Sequence, residues 1–191
     1  MIRRAFLFGE LRVVDERNTE RSLVARTQDA RRVFALLALT PTAMRRDVLA
    51  AQLWPEVADS VRLARLRYSL SMLRRAIGEE ALLTGGGDSL ALSPEVMLDV
   101  RQFWERVQDA VLAPEVSLRI AAFQDALRLA NSPLLPGWSE LWIERERARL
   151  EACRQDILRA LMADLTRLGR EEEAALWRYL VPANDSPTLA E

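Results

Sequence analysis

The spacing of apolar residues between Ala5 and Leu39 changes once, from strand-like to helical. Ala5-Phe6-Leu7-Phe8-Gly9-Glu10-Leu11-Arg12-Val13-Val14 is dense in β-branched and aromatic side chains and predicts a strand, bulged at Gly9. The polar run Asp15 to Glu20 then predicts a turn into a shorter strand, Ser22-Leu23-Val24-Ala25. From Asp29 the period becomes three and four, with Val33, Leu36, Leu37 and Leu39 on a helix that Pro41 ends, because proline cannot donate to the helical ladder. A second helix runs from Arg46 to Leu53 and stops at Trp54-Pro55. A third runs to Ile77, with Asp59 or Ser60 as its cap and Gly78 suited to the left-handed residue that closes it.

Beyond Gly78, Ala81-Leu82-Leu83-Thr84 and Ser89-Leu90-Ala91-Leu92 predict two short strands joined by the turn Gly85-Gly86-Gly87-Asp88, and Ser93-Pro94 closes the segment. Strand, strand, three helices and a hairpin is the order of a winged helix, in which the third helix enters the major groove and the hairpin forms the wing. From Val100 onward the pattern is helical. Ile120, Phe123 and Leu127 line one helix, and Leu150, Cys153, Ile157, Leu161, Leu165 and Leu168 line a long second one. A third, Glu171 to Leu180, follows Gly169. Such helix pairs stack as tetratricopeptide-like repeats. The expected fold class is therefore an α+β winged helix over residues 1–97 followed by an all-α, tetratricopeptide-like helical domain over 98–191, mainly α overall.

Composition narrows the function. With 191 residues, half of them apolar, the chain is long enough to bury a core. No stretch approaches the roughly 18 apolar residues of a membrane span, and Met-Ile-Arg-Arg lacks the apolar segment of a secretory signal, so the expected location is cytoplasmic. Histidine is absent, which removes the usual general base, the usual zinc ligand and every Ser-His or Cys-His nucleophile. Cys153 is the sole cysteine, so no internal disulfide and no thiolate metal cluster can form, and a buried helix position explains it. No phosphate-binding GxxxxGK[ST] loop and no GxGxxG motif is present. The expectation is a protein that is not an enzyme and needs no cofactor or metal.

Charge separates the two halves. Residues 1–98 carry 15 Arg against 12 Asp and Glu, while 99–191 carry 12 against 16, so a nucleic-acid partner suits the first half alone. Every basic residue is arginine, which matches bidentate recognition of phosphate and guanine and also matches a GC-rich genome.

On a helical wheel of Val61 to Ile77, Leu63, Leu66, Leu70, Leu73 and Ile77 form one stripe, which is the expected core. The opposite side collects Ala64, Tyr68, Ser71, Met72 and Arg75, flanked by Arg65, Arg67 and Arg74, with Arg62 near the start. Arginine there can grip phosphate or pair with guanine at about 1–3 kcal/mol of discrimination per good contact. The bland alternative is a solvated helix whose arginines pair with nearby carboxylates.

The stretch Arg46-Asp47-Val48-Leu49-Ala50-Ala51-Gln52-Leu53-Trp54-Pro55, followed by Ala64-Arg65-Leu66-Arg67-Tyr68-Ser69-Leu70-Ser71-Met72-Leu73-Arg74-Arg75-Ala76-Ile77-Gly78, resembles the Streptomyces antibiotic regulatory protein family. These are activators with an OmpR-type winged helix. Leu98-Asp99-Val100-Arg101-Gln102-Phe103 is similar to the start of the family's bacterial transcriptional activator domain. Leu134-Leu135-Pro136-Gly137-Trp138, Trp142, Glu146-Arg147-Ala148-Arg149-Leu150 and Leu168-Gly169-Arg170-Glu171-Glu172-Glu173-Ala174 resemble its repeat core. The resemblance implies that Arg62, Arg65, Arg67, Tyr68, Ser71, Met72 and Arg75 contact promoter DNA, with Thr84 and Gly86 contributing from the wing. It implies RNA polymerase contact in the loop Pro55 to Ser60, at Glu56 and Asp59, activation by recruitment, side-by-side copies on direct repeats, and a location at the nucleoid. Two features depart from the family pattern. Where its wing ends in a Gly-Tyr-Arg-Leu-like run, this chain reads Gly87-Asp88-Ser89-Leu90, which puts an acid in place of a minor-groove arginine. The helical module, ending near Asn184-Asp185-Ser186-Pro187-Thr188-Leu189-Ala190-Glu191, is short for the family, as expected of a piece of a longer regulator.

Three further features carry bland readings. Trp138 and Trp142 are expected to anchor packing. Glu171-Glu172-Glu173 cannot converge on one ion, because consecutive helical residues point about 100° apart, and they suit a first turn facing the helix dipole. Glu144-Arg145-Glu146-Arg147 is expected to be a surface ion-pair ladder. The rival to a DNA-binding activator is a winged helix that has lost DNA binding and serves, with its repeats, as a protein-interaction scaffold. The small net charge and Asp88 favour the rival; the arginines of the third helix oppose it.

Overall fold

A computed structural model of the chain describes residues 2–17, 19–21 and 28–178. These described residues divide into two compact units, one within 2–102 together with 132–138 and the other within 103–131 together with 139–178.

The first unit opens with a hairpin where one long strand was expected. β1 (Ile2–Phe6) and β2 (Arg12–Asp15) pair antiparallel, with Ala5 opposite Val13 and Phe6 opposite Arg12. Gly9 has φ +89°, a conformation that costs residues with a Cβ about 1–2 kcal/mol, and the chain reverses there instead of bulging. The register irregularity falls between Ile2 and Arg4. β3 (Glu20–Arg21) pairs with β2, while the expected strand Ser22–Ala25 lies outside the described residues. β1 gains a parallel neighbour, Met97–Leu98, so the sheet joins the chain's start to the end of the winged-helix segment.

The three helices follow their periodicity. α1 (Gln28–Leu39) ends before Pro41, α2 (Arg46–Leu53) ends at Trp54, and α3 (Asp59–Ile77) ends at Gly78, whose φ of +97° is open to glycine at little cost. The start of α3 differs from expectation. Ala58 is its N-cap and makes no side-chain cap bond, while Asp59 lies in the first turn, where a negative charge favours the helix dipole. α3 packs on α1 and α2 through Leu66, Leu70, Leu73 and Ile77, all buried with Val33, Phe34, Leu37 and Leu49. Each such side chain contributes about 1.5–3 kcal/mol of transfer free energy. Leu63, expected in this stripe, is half-buried, and Ser69 takes a buried place beside it.

Three short strands form a second sheet, two of them after α3 and one between α1 and α2 in sequence. β4 (Met44–Arg45) pairs antiparallel with β6 (Ser89–Leu92), which pairs with β5 (Leu82–Gly85). β7 is Met97–Leu98. The segment 132–138 belongs to this unit: Gly9 N donates to Pro133 O at 2.8 Å and Leu135 N to Leu7 O at 2.9 Å.

Asp99, at the head of α4 (Asp99–Leu112), ties the unit together. Its buried carboxylate accepts from Leu7 N at 2.8 and 3.0 Å, from Phe8 N at 2.9 Å and from Val100 N at 2.8 Å. Burial raises its pKa above the ordinary carboxylate value, and the backbone donors pull against that rise.

The second unit is helical, as expected. α5 (Val116–Leu129) packs on α6 (Leu141–Arg167), and α6 on α7 (Glu171–Arg178). Ile120, Phe123, Leu127, Leu150, Ile157, Leu161 and Leu165 are buried. Cys153 is half-buried, and Leu168 is exposed because α6 stops one residue before it. Arg149 sits over the Trp104 ring at 4.2 Å, and Arg119 grips Asp164 from α5 to α6. No described helix is long and apolar enough to cross a membrane. The architecture is an α+β winged helix followed by an all-α helical region.

Candidate nucleic-acid interface

The side of α3 away from its core stripe faces solvent because α1 and α2 cover only the other side. Ala64, Arg65, Arg67, Tyr68, Ser71 and Arg75 are exposed, and Met72 is half-buried among them. Tyr68 leaves 59% of its surface in water, a large exposed aromatic area.

The arginines divide into two classes. Arg62 and Arg74 are partly covered and already paired: Arg62 with Asp59 one turn earlier, and Arg74 Nε with Glu79 Oε2 at 3.2 Å. For these two, the solvated-helix alternative describes the geometry well. Arg65, Arg67 and Arg75 have no acidic partner among the described residues. The Arg65 guanidinium lies 5.9 Å from the centre of the Trp54 ring, within cation–π range. Trp54 is itself buried, its indole N–H donating to Asp29 Oδ1 at 3.3 Å, so the residue that ends α2 also steadies a cation on α3.

At the hairpin, Thr84 and Gly86 are exposed. The turn is tight: a Cβ on Gly85 would stand 2.8 Å from Ser89 Oγ, and that hydroxyl donates to Gly86 O at 2.9 Å. Asp88 adopts φ +61°, a left-handed conformation that aspartate tolerates better than most residues. Its Oδ1 lies 2.6 Å from Arg46 Nε, in an ion pair from the turn to the first residue of α2. Next to it Arg45 holds Asp47 with two hydrogen bonds, Nε to Oδ1 at 3.0 Å and the terminal nitrogen to Oδ2 at 2.6 Å. That bonding keeps the Asp47 carboxyl below the usual carboxylate range. Sequence reasoning missed Arg45 and Arg46 as members of this surface. Only the pairing of β4 with β6, Arg45 opposite Ser89, reveals that they flank the turn.

Glu56 and Asp59 are both exposed between α2 and α3, with Asp59 engaged by Arg62. Trp138 and Trp142 are half-buried, and Arg31 lies 5.3 Å from the Trp138 ring centre. In the acidic run, Glu173 pairs with Arg170 and accepts from Gln124 at 2.7 Å, and Glu171 and Glu172 are exposed.

No family model and no curated protein matches the chain. Among solved structures it is similar to Mycobacterium tuberculosis EmbR in complex with low affinity phosphopeptide, with a TM-score of 0.72 and 21% identity over 94% of this chain. The chain spans about half of that one, 52% of its length, and the likeness shows that the two share a winged-helix and helical fold.

Proposed function

We propose that this chain is a sequence-specific, DNA-binding transcriptional regulator, with residues 1–97 as the DNA-binding domain and 98–191 as an activator domain. The observation that carries the reading is the outward side of α3, where Arg65, Arg67 and Arg75 stand exposed without acidic partners among the described residues, next to exposed Tyr68 and Ser71. Exposed arginines left unpaired on a helix that a duplex can approach are suited to phosphates and guanine edges. Arg62, Met72, Thr84 and Gly86 complete the proposed contact set. Glu56 and Asp59 are proposed to touch RNA polymerase, so that activation proceeds by recruitment of polymerase to promoter DNA. Side-by-side copies on direct repeats and a cytoplasmic, nucleoid-associated location belong to the same reading.

The scaffold reading also has an observation in its favour: Arg62 and Arg74 are neutralised within the chain. A gel shift with the DNA upstream of the protein's own gene separates the two. Regulation by DNA binding requires a log-log slope of affinity against salt near −0.9 per phosphate contacted, and a loss of more than about tenfold in Arg65→Ala or Arg75→Ala. A scaffold gives no shift of any duplex at low salt.

A further inference from the structure

We infer that Arg46 is a phosphate-binding residue held in reserve, and that Asp88 in the wing turn occupies it as an internal stand-in for phosphate. The inference deepens the DNA-binding reading above and rests on it. Asp88 stands between Gly86, a proposed wing contact, and β6, and its carboxylate lies 2.6 Å from Arg46 Nε. The two ends of this pair differ in exposure: the Asp88 side chain is 71% open to solvent, whereas that of Arg46 is only 21% open. The acid therefore lies against a largely covered cation whose buried Nε has no hydrogen-bond partner among the described residues.

The neighbouring charges leave Arg46 as the group in play. Arg45 is committed to Asp47 through two hydrogen bonds, so it does not compete for Asp88 at hydrogen-bond distance. An ion pair with one partner this exposed is weak, because water and salt screen it and holding both side chains costs entropy. A duplex brought to the wing by α3 can therefore displace Asp88 from Arg46, but every binding event must break the pair and bring an acid near phosphates. The turn itself does not depend on the pair, since Ser89 Oγ donating to Gly86 O and the β4–β6 and β5–β6 pairings hold it independently. Asp88 thus lowers DNA affinity and softens its salt dependence by about one phosphate contact.

The test measures fluorescence anisotropy of a labelled mixed-sequence duplex with the full chain, at salt from about 50 to 200 mM. Asp88→Asn is expected to bind several-fold more tightly at the low end, with a slope steeper by about 0.9, the increment for one more phosphate. Arg46→Ala is expected to change little alone and to erase the gain in the Asp88→Asn background, a coupling that mere removal of a negative charge cannot produce. Glu172→Gln, which removes an exposed acid of α7, serves as the charge control. A wild type that binds with Asp88→Asn equal or weaker overturns the inference and leaves DNA binding standing. A double variant that keeps the gain overturns it in the same way. Absence of duplex binding by every variant overturns the DNA-binding reading and the inference together.

Discussion

Arg119 on α5 clamps Asp164 on α6 with two hydrogen bonds of 2.6 Å each, Nε to Oδ2 and a terminal nitrogen to Oδ1. Asp164 is almost wholly buried, and hydrogen bonding to Arg119 holds its carboxyl below the ordinary carboxylate range. A carboxylate with a lowered folded-state pKa stabilises the fold above its unfolded value and loses that contribution as pH falls through the folded value. Arg119→Ala is thus expected to lower the melting temperature at neutral pH, with Arg167, 3.5 Å from the same carboxylate, left as a weaker partner. The gap from wild type should narrow on acidification. Thermal melts across the acidic range check this, and a gap that stays constant with pH contradicts it.

Asp99 responds to acid with the opposite sign. Its pKa is raised by burial, so its linkage contribution is present below the unfolded value and lost as pH rises through the folded one. Asp99→Ala leaves the amides of Leu7 and Phe8 without their acceptor, at a cost of about 1–3 kcal/mol per stranded buried donor. Urea melts should show that loss at neutral pH, and the difference from wild type should widen as pH falls.

Ser69 on α3 buries its hydroxyl with no hydrogen-bond partner among the described residues. Replacing it with alanine removes a buried polar group that nothing satisfies, so Ser69→Ala is expected to be neutral or stabilising by up to about 1 kcal/mol. Leu70→Ala, one residue along the same buried stripe, is expected to cost about 2–5 kcal/mol. Denaturant midpoints of the pair of variants provide the measurement. A destabilised Ser69→Ala would reveal a partner for the hydroxyl.

Glu56 is exposed in the α2–α3 connection and makes no ion pair among the described residues. If this loop meets polymerase, Glu56→Ala should keep duplex affinity and lose activated transcription in a reconstituted assay. Parallel loss of both would assign the residue to DNA binding instead. Asp59 is a poorer probe, because its removal frees Arg62 and confounds the two readouts.

The helices were legible because their signals are local. Arg46 to Leu53 was bounded by Trp54-Pro55, and the stripe Leu66, Leu70, Leu73, Ile77 repeats at the helical period, so neither needed distant residues to be recognised. The first hairpin was misread because strand-forming residues on both sides of Gly9 look continuous until the backbone reverses there. Met44–Arg45 carries no strand pattern at all; two residues become a strand only because β6 presents an edge. For the same reason the candidate surface was half visible: the exposed side of α3 follows from its wheel, but the membership of Arg46 does not.

What the sequence by itself determined is the helices, the wing hairpin and the side of α3 that faces water, since hydrophobic period and chain breakers act within one turn or strand. Tertiary structure alone decided which charges meet: Arg46 with Asp88, Arg119 with Asp164, and Asp99 with the amides of Leu7 and Phe8. Coulomb attraction and hydrogen bonding act over a few ångströms of space, whereas these partners are separated by tens of residues of chain. Only folding brings them within that reach.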